Sequence, residues 1–272
     1  MRNTNRLMWA GACVAVAGVV GVVLAQQNPA RGHLAAPPGT QTLTADLAPL
    51  SMRFYSSADF KGTEATIGGV DTIQPGELME MPKGLADQLS SLRWNLPSGI
   101  IVVLYEDSAG KGEQMVVWGK GEAAEVSIWD FNDKASRWAW FDVGGGAGTS
   151  RSTAARLPPL GSKMLDTALA RDTIQMFKNK DFKGDLHQVS PLTAQPAGAL
   201  QDIPSNIDDS LTSIRWDLPD GVIVTLYEDA DGKKDRVSVW GKGQLNDLDL
   251  WDFNDKVSRW SWAYVGAPPT SP

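Results

Sequence analysis

The chain repeats itself at a fixed offset of 122 residues, with no insertion or deletion between the copies. Asp59-Phe60-Lys61-Gly62 returns as Asp181-Phe182-Lys183-Gly184, and Leu104-Tyr105-Glu106-Asp107 as Leu226-Tyr227-Glu228-Asp229. Trp118-Gly119-Lys120-Gly121 returns as Trp240-Gly241-Lys242-Gly243, and Trp129-Asp130-Phe131-Asn132-Asp133-Lys134 as Trp251-Asp252-Phe253-Asn254-Asp255-Lys256. About 40 positions are identical between residues 51–144 and 173–266, so the chain carries two copies of one module. A core tolerates any apolar residue of the right size. The repeated polar side chains therefore need a reason of their own.

Modules of this size bury enough surface to fold without disulfides. Outside them, Arg2 and Arg6 precede an apolar run from Leu7 to Ala25. That pattern predicts a secretory signal peptide over residues 1–25 with cleavage near Ala25. The run is also long enough for an uncleaved membrane anchor. Cys13, the only cysteine, lies inside the run, so a mature chain has no disulfide, thiol catalysis or thiolate metal site. Loss of Arg2 and Arg6 takes the formal net charge from −7 to about −9. Nucleic-acid binding rests on Lys and Arg neutralising phosphates, so this balance argues against a nucleic-acid partner. Residues 26–50 read as an irregular leader, and 145–172 as a linker opened by glycines, with a short helix expected over 162–171. Residues 267–272 read as a tail. The reading places the protein outside the cytoplasm, secreted, periplasmic or in the cell envelope.

Within each module the periodic signals are strands. Ile100–Tyr105 and Val222–Tyr227 are β-branched runs entered through Pro-x-Gly turns, and Gln114–Trp118 and Arg236–Trp240 follow as hairpin partners. No long helical period is present, so each module is expected to be an all-β sandwich. Each module also divides in two. Tyr55-x4-Phe60-x-Gly62 leads to Asp87-x2-Ser90-Ser91, and Tyr105-x4-Gly110-x-Gly112 leads to Asn132-Asp133-x2-Ser136-Arg137. The second module has the same halves, ending at Asp208-Asp209-x2-Thr212-Ser213 and Asn254-Asp255-x2-Ser258-Arg259.

An aromatic residue, a glycine seven positions on, and a closing Asn/Asp-Asn/Asp-x-x-Ser/Thr-Ser segment resemble the Greek-key motif of the βγ-crystallin superfamily, most closely its microbial, calcium-binding branch. The resemblance covers all four half-units. It implies two tandem Greek-key sandwich domains, 51–144 and 173–266, each of two intertwined Greek keys, and calcium as the cofactor.

Calcium takes six to eight oxygens from carboxylates, carbonyls, hydroxyls and water, which the acidic-Ser segments supply. The candidate ligands are Asp87 and Ser90; Asn132, Asp133 and Ser136; Asp208, Asp209 and Thr212; and Asn254, Asp255 and Ser258. Which of the two acidic positions ligates, and which braces the loop, is open. Backbone carbonyls of Ser210 and, by the family pattern, of Ala58, Ser108, Lys180 and Ala230 are expected beside them. The segment at 86–91 starts with Ala86 and ranks weakest, and Arg137 and Arg259 would weaken their sites if they pointed inward. The competing reading is that Asp, Asn and Ser close turns with no metal.

The paired tryptophans (Trp94, Trp118, Trp129, Trp138 and Trp140 with their counterparts) are expected in the core, with Arg93, Arg137, Arg215 and Arg259 stacked on them; a sugar-binding envelope protein is the alternative. Catalysis has little to use: His33 is in the leader, and His187 has Ala65 as its counterpart. No enzyme is expected. A secreted protein-binding module such as a metalloproteinase inhibitor is a further alternative, with the absence of mature cysteines against it.

Overall fold

A computed structural model describes residues 36–144, 157–232 and 234–265. The apolar N-terminal run, residues 145–156 of the linker and the tail lie outside them. Each module is a pair of four-stranded antiparallel sheets. The first contains β1 (Ser51–Ser57), β2 (Lys61–Gly68), β3 (Met79–Glu80), β4 (Ser91–Asn95), β5 (Ile100–Tyr105), β6 (Gln114–Trp118), β7 (Lys120–Ala123) and β8 (Arg137–Asp142). The second repeats them as β9 (Thr173–Asn179), β10 (Lys183–Val189), β11 (Gln201–Asp202), β12 (Ser213–Asp217), β13 (Val222–Tyr227), β14 (Arg236–Trp240), β15 (Lys242–Leu245) and β16 (Arg259–Tyr264). The four strands expected from β-branched runs fall at the bounds the sequence predicts. Among the described residues no helix is long and apolar enough to cross a membrane.

Strand order shows how the halves interlock. One sheet runs β2-β1-β4-β7 and the other β3-β8-β5-β6. The first half therefore lends β3 to the second half's sheet and receives β7 in return. The second module exchanges β11 and β15 in the same way. Neither half can close its sheets alone, so the all-β, intertwined Greek-key architecture that the sequence predicts is present in both modules.

The tryptophans fill the cores. Trp94, Trp138, Trp216, Trp240 and Trp251 are among the largest fully buried side chains. Burying an indole N–H costs free energy unless it finds an acceptor. Trp94 donates to the Trp118 carbonyl at 2.9 Å, and Trp216 to that of Trp240 at 3.0 Å.

Ahead of each module the structure adds an arm that the sequence reading left in the leader and the linker. Residues 36–50 and 157–172 run extended over equivalent surfaces. Gln41 forms an antiparallel bridge with Glu122, and Lys163 with Gln244. Trp129 donates to the Pro38 carbonyl and Trp251 to the Leu160 carbonyl, both at 3.0 Å. The short helix expected over 162–171 is not formed, because Lys163 exchanges both backbone hydrogen bonds with Gln244 at 2.9 Å.

The modules face each other about a local two-fold axis. Gly99 donates its amide to the Val265 carbonyl at 2.9 Å, and its counterpart Gly221 donates to Val143 at 2.6 Å. Between these bonds lies a shared apolar layer including Ile101, Val116 and Phe141 of one module and Ile223, Trp240 and Val265 of the other.

Candidate metal centre

The acidic-Ser segments lie just before the fourth strand of each half (β4, β8, β12 and β16), where the two halves of a module cross. Their backbones interlock: Asp87 N–H donates to the Ala135 carbonyl at 2.9 Å, and Asp133 N–H to that of Leu89 at 3.0 Å. Asp209 with Val257, and Asp255 with Leu211, repeat this at 3.2 Å each. Asp87, Asp133, Asp209 and Asp255 all take left-handed backbone angles, φ 48–58°. Aspartate tolerates that region better than most residues, which accounts for its use at the second position.

The crossing sends each of these carboxylates to the other half's hydroxyl. Ser136 Oγ lies 2.6 Å from Asp87 Oδ1, and Ser258 Oγ lies 3.0 Å from Asp209 Oδ1. Ser90 Oγ lies 3.4 Å from Asp133 Oδ1 and 3.3 Å from the Ser56 carbonyl. Thr212 Oγ1 has the fullest set: the Lys178 carbonyl at 2.8 Å, Asp255 Oδ1 at 3.3 Å and the Ser210 carbonyl at 3.4 Å. The carbonyls beside these hydroxyls are those of Ser56 and Lys178, two residues before Ala58 and Lys180, the positions the family pattern suggests for a metal. The reason is local: Ser90 and Thr212 bind the Tyr55 and Phe177 carbonyls through their own amides, which aligns the next carbonyl with the hydroxyl.

The first acidic position has a different task. The Asn132 amide donates to Asp133 Oδ2 at 2.7 Å, and Asn254 to Asp255 Oδ2 at 2.8 Å. Each bond holds one carboxylate oxygen and leaves Oδ1 facing the hydroxyl. Asn132 and Asn254 thus brace the neighbouring carboxylate through their amide nitrogens, and the buried Asn254 Oδ1 has no hydrogen-bond partner. Asp208 has no amide to offer; burial and the neighbouring Asp209 charge raise its pKa. The sixth position staples the hairpin. Ser91 donates to the Ser57 carbonyl and Ser213 to that of Asn179, both at 2.7 Å.

Arginines stand elsewhere than expected. Arg137 pairs with Glu80 at 2.9 Å and Arg259 with Asp202, each across the strand ladder. Arg93 and Arg215 stack on Phe60 and Phe182, each 3.7 Å from the ring centroid, rather than on tryptophan.

Among the described residues no group of three or more His, Cys, Asp or Glu side chains is placed to hold a metal ion. The donor set at Thr212 is instead one carboxylate, one hydroxyl and two carbonyls. Such all-oxygen sets suit a hard cation and not a transition metal. A single hydroxyl proton faces three acceptor oxygens there, so a cation fits the surplus lone pairs.

Two Greek keys per module, each lending a strand to the other's sheet and closing on the other's acidic segment, decide the family of folds. The chain has the βγ-crystallin fold. No protein-family model and no curated protein matches it. Solved βγ-crystallin domains are similar to it. One, from work on the evolution of the eye-lens βγ-crystallin domain fold, is 20% identical, covering 37% of this chain and 93% of that chain at a TM-score of 0.30. The N-terminal domain of protein S is 21% identical, covering 34% and 97%, with a TM-score of 0.23. A βγ-crystallin domain of Abundant Perithecial Protein from Neurospora crassa, in a Ca2+-bound form, is 19% identical, covering 36% and 93%, with a TM-score of 0.26.

Proposed function

We propose that this two-module βγ-crystallin-fold protein is a non-enzymatic calcium binder that acts outside the cytoplasm, where the ion clamps the two Greek keys of a module together. The observation that carries the reading is the crossed pairing of second-position aspartates with fifth-position hydroxyls. A cation held between Asp255 and Thr212 touches both halves of its module, so it binds the folded state and not the unfolded chain. Binding then stabilises by RT ln(1 + [Ca]/Kd), about 2.7 kcal/mol when free calcium is a hundredfold above Kd. A site of modest affinity suffices where calcium is millimolar, which fits the N-terminal apolar run read as an export signal.

The crossed geometry also reorders the sites. Ala86 deprives Asp87 of a brace, and Asp87 serves Ser136, so the weakened site is that of Ser136 and not of Ser90. Thr212 and Ser90, served by the braced Asp255 and Asp133, form the stronger pair.

Calorimetric titration of calcium into the mature protein, with melting temperatures in calcium and in EDTA, tests the reading. Heat of binding and a higher melting temperature in calcium, both reduced in Thr212→Ala and Asp255→Ala, are expected. An absence of heat and of any shift at millimolar calcium would mean that the segments are turn architecture.

A further inference from the structure

Where two equivalent modules meet about a two-fold axis, a residue on the axis meets its own counterpart. Glu113, just before β6, and Asp235, just before β14, are such a pair, 122 residues apart. Their carboxyl groups come within hydrogen-bonding reach across the module interface. Asp235 is 6% exposed, and its Oδ1 has no hydrogen-bond partner. Each carboxyl has a lysine from its own module: Lys134 Nζ lies 2.5 Å from Glu113 Oε2, and Lys256 Nζ lies 3.5 Å from Asp235 Oδ2. Those lysines also answer to Asp130 and Asp252, at 3.8 and 3.4 Å. Glu106 bears on Glu113, and Glu228 on Asp235. Arg236, beside Asp235 in sequence, is buried and turned towards the Trp129 ring of the other module, 5.1 Å from its centroid.

Two carboxyls in contact inside an interface do not both ionise without cost, so one retains a proton. We propose that a single proton shared between Glu113 and Asp235 latches the two modules together, and that its loss as pH rises loosens their pairing.

Burial raises the Glu113 carboxyl to about 7; the Lys134 hydrogen bond opposes this, and the Asp235 and Glu106 charges add to it. Burial also raises Asp235, against the pull of Lys134 and Lys256. The sign follows. A carboxyl whose pKa is higher when paired than when free favours pairing fully below its free value near 4.5. That contribution is lost as pH climbs through about 7. Between about 4.5 and about 7, where only the paired state keeps the proton, each pH unit lowers the paired-to-open ratio by up to about tenfold, and above that range the ratio no longer changes.

The test uses the full mature chain in EDTA, so that calcium plays no part, from pH 5 to 9. Small-angle scattering is expected to show paired modules at pH 5 and a larger maximum dimension at pH 9, with the change essentially complete a little above pH 7. Calorimetry is expected to show one melting transition at low pH separating into two. Glu113→Gln keeps a donor for Asp235 but has no proton to lose, so its modules are expected to stay paired through pH 9. A step that persists in Glu113→Gln, or no step in the parent chain, would overturn the proposal. If that variant does not fold, the Glu113 carboxyl carbon signal of the parent chain decides. Titration near pH 7 supports the latch, and titration near 4.5 removes it.

Discussion

Ser136 Oγ lies 2.6 Å from Asp87 Oδ1, a carboxylate supplied by the other Greek key of the same module. Each acidic segment therefore sets its second-position carboxylate beside its partner's hydroxyl and not beside its own. Asp87→Ala is expected to abolish calcium binding at Ser136 and leave the site at Ser90 intact, with Asp133→Ala doing the reverse. Amide NMR shifts of residues 90 and 136 during a calcium titration distinguish the two. A response lost at residue 90 in Asp87→Ala would contradict the crossed assignment. Without calcium, Asp87→Ala loses one exposed hydrogen bond and puts alanine at φ 53°, so its cost is about 1–2 kcal/mol.

The repeat, the all-β class and the half-units were legible because core aromatics and turn glycines recur at fixed spacing. The strand exchange came only with the family resemblance and not from periodicity: β3 and β11 are two residues long and carry no period. The carbonyl donors were illegible for a different reason, since any residue supplies a carbonyl and Ser56 has no signature. Crossed pairing depends on how two halves meet, which spacing along one half does not encode. The arms did leave a signal. Pro37, Gly39, Leu43 and Leu47 match Pro159, Gly161, Leu165 and Leu169 at the same offset of 122, hidden in a proline- and alanine-rich composition that reads as irregular.

Gly161 tests the arm. Its φ of +84° is one that side chains rarely adopt, and an added Cβ would meet Trp251 Nε1 at 3.0 Å. That nitrogen donates to the Leu160 carbonyl, so the neighbour cannot shift without loosening the bond that holds the arm. Gly161→Ala is expected to cost about 1–2 kcal/mol from backbone strain, lowering the melting temperature by about 2–8 °C. Gly39→Ala, with φ +87° and Trp129 Nε1 at 3.1 Å, is expected to match it in the first module. A neutral result at both positions would show that the arms contribute nothing to stability.

The two stacked arginines are expected to differ. Arg93 donates to Glu122 Oε2 and to the Tyr55 hydroxyl, both at 3.0 Å, in addition to stacking on Phe60. In the second module those partners are replaced by Gln244 and Phe177, and Arg215 Nε is left with no hydrogen-bond partner. The carboxylate has moved to the arm, where Asp166 accepts from Gln244 Nε2 at 2.9 Å. Arg93→Ala is therefore expected to cost about 2 kcal/mol, from a charged hydrogen bond and the lost stack. Arg215→Ala is expected to cost about 1 kcal/mol or less, from the stack alone. Denaturant unfolding of the two variants gives the difference, and equal costs would refute the account.

The module interface is symmetric in backbone but not in side chains. Phe141 packs on Trp240 with ring centroids 4.9 Å apart, and is 1% exposed. Its counterpart is Ala263, 3% exposed, which has no ring to offer Trp118 in return. One large and one small residue thus share the layer, as close packing about an axis demands when two rings do not both fit. Phe141→Ala empties that space and is expected to cost about 3–5 kcal/mol, with the loss concentrated in the coupling between modules. Two calorimetric transitions are then expected in place of one. Ala263→Phe alone overfills the layer, at a cost of about 1–3 kcal/mol. In the double variant the ring enters from the other side, and the two-fold axis places it against Trp118. Its stability is expected to exceed that of Phe141→Ala by at least about 1 kcal/mol, a coupling that neighbouring sites show and distant ones do not. A double variant no more stable than the sum of the two losses would show that the axis relates the backbones of the modules and not the space between them.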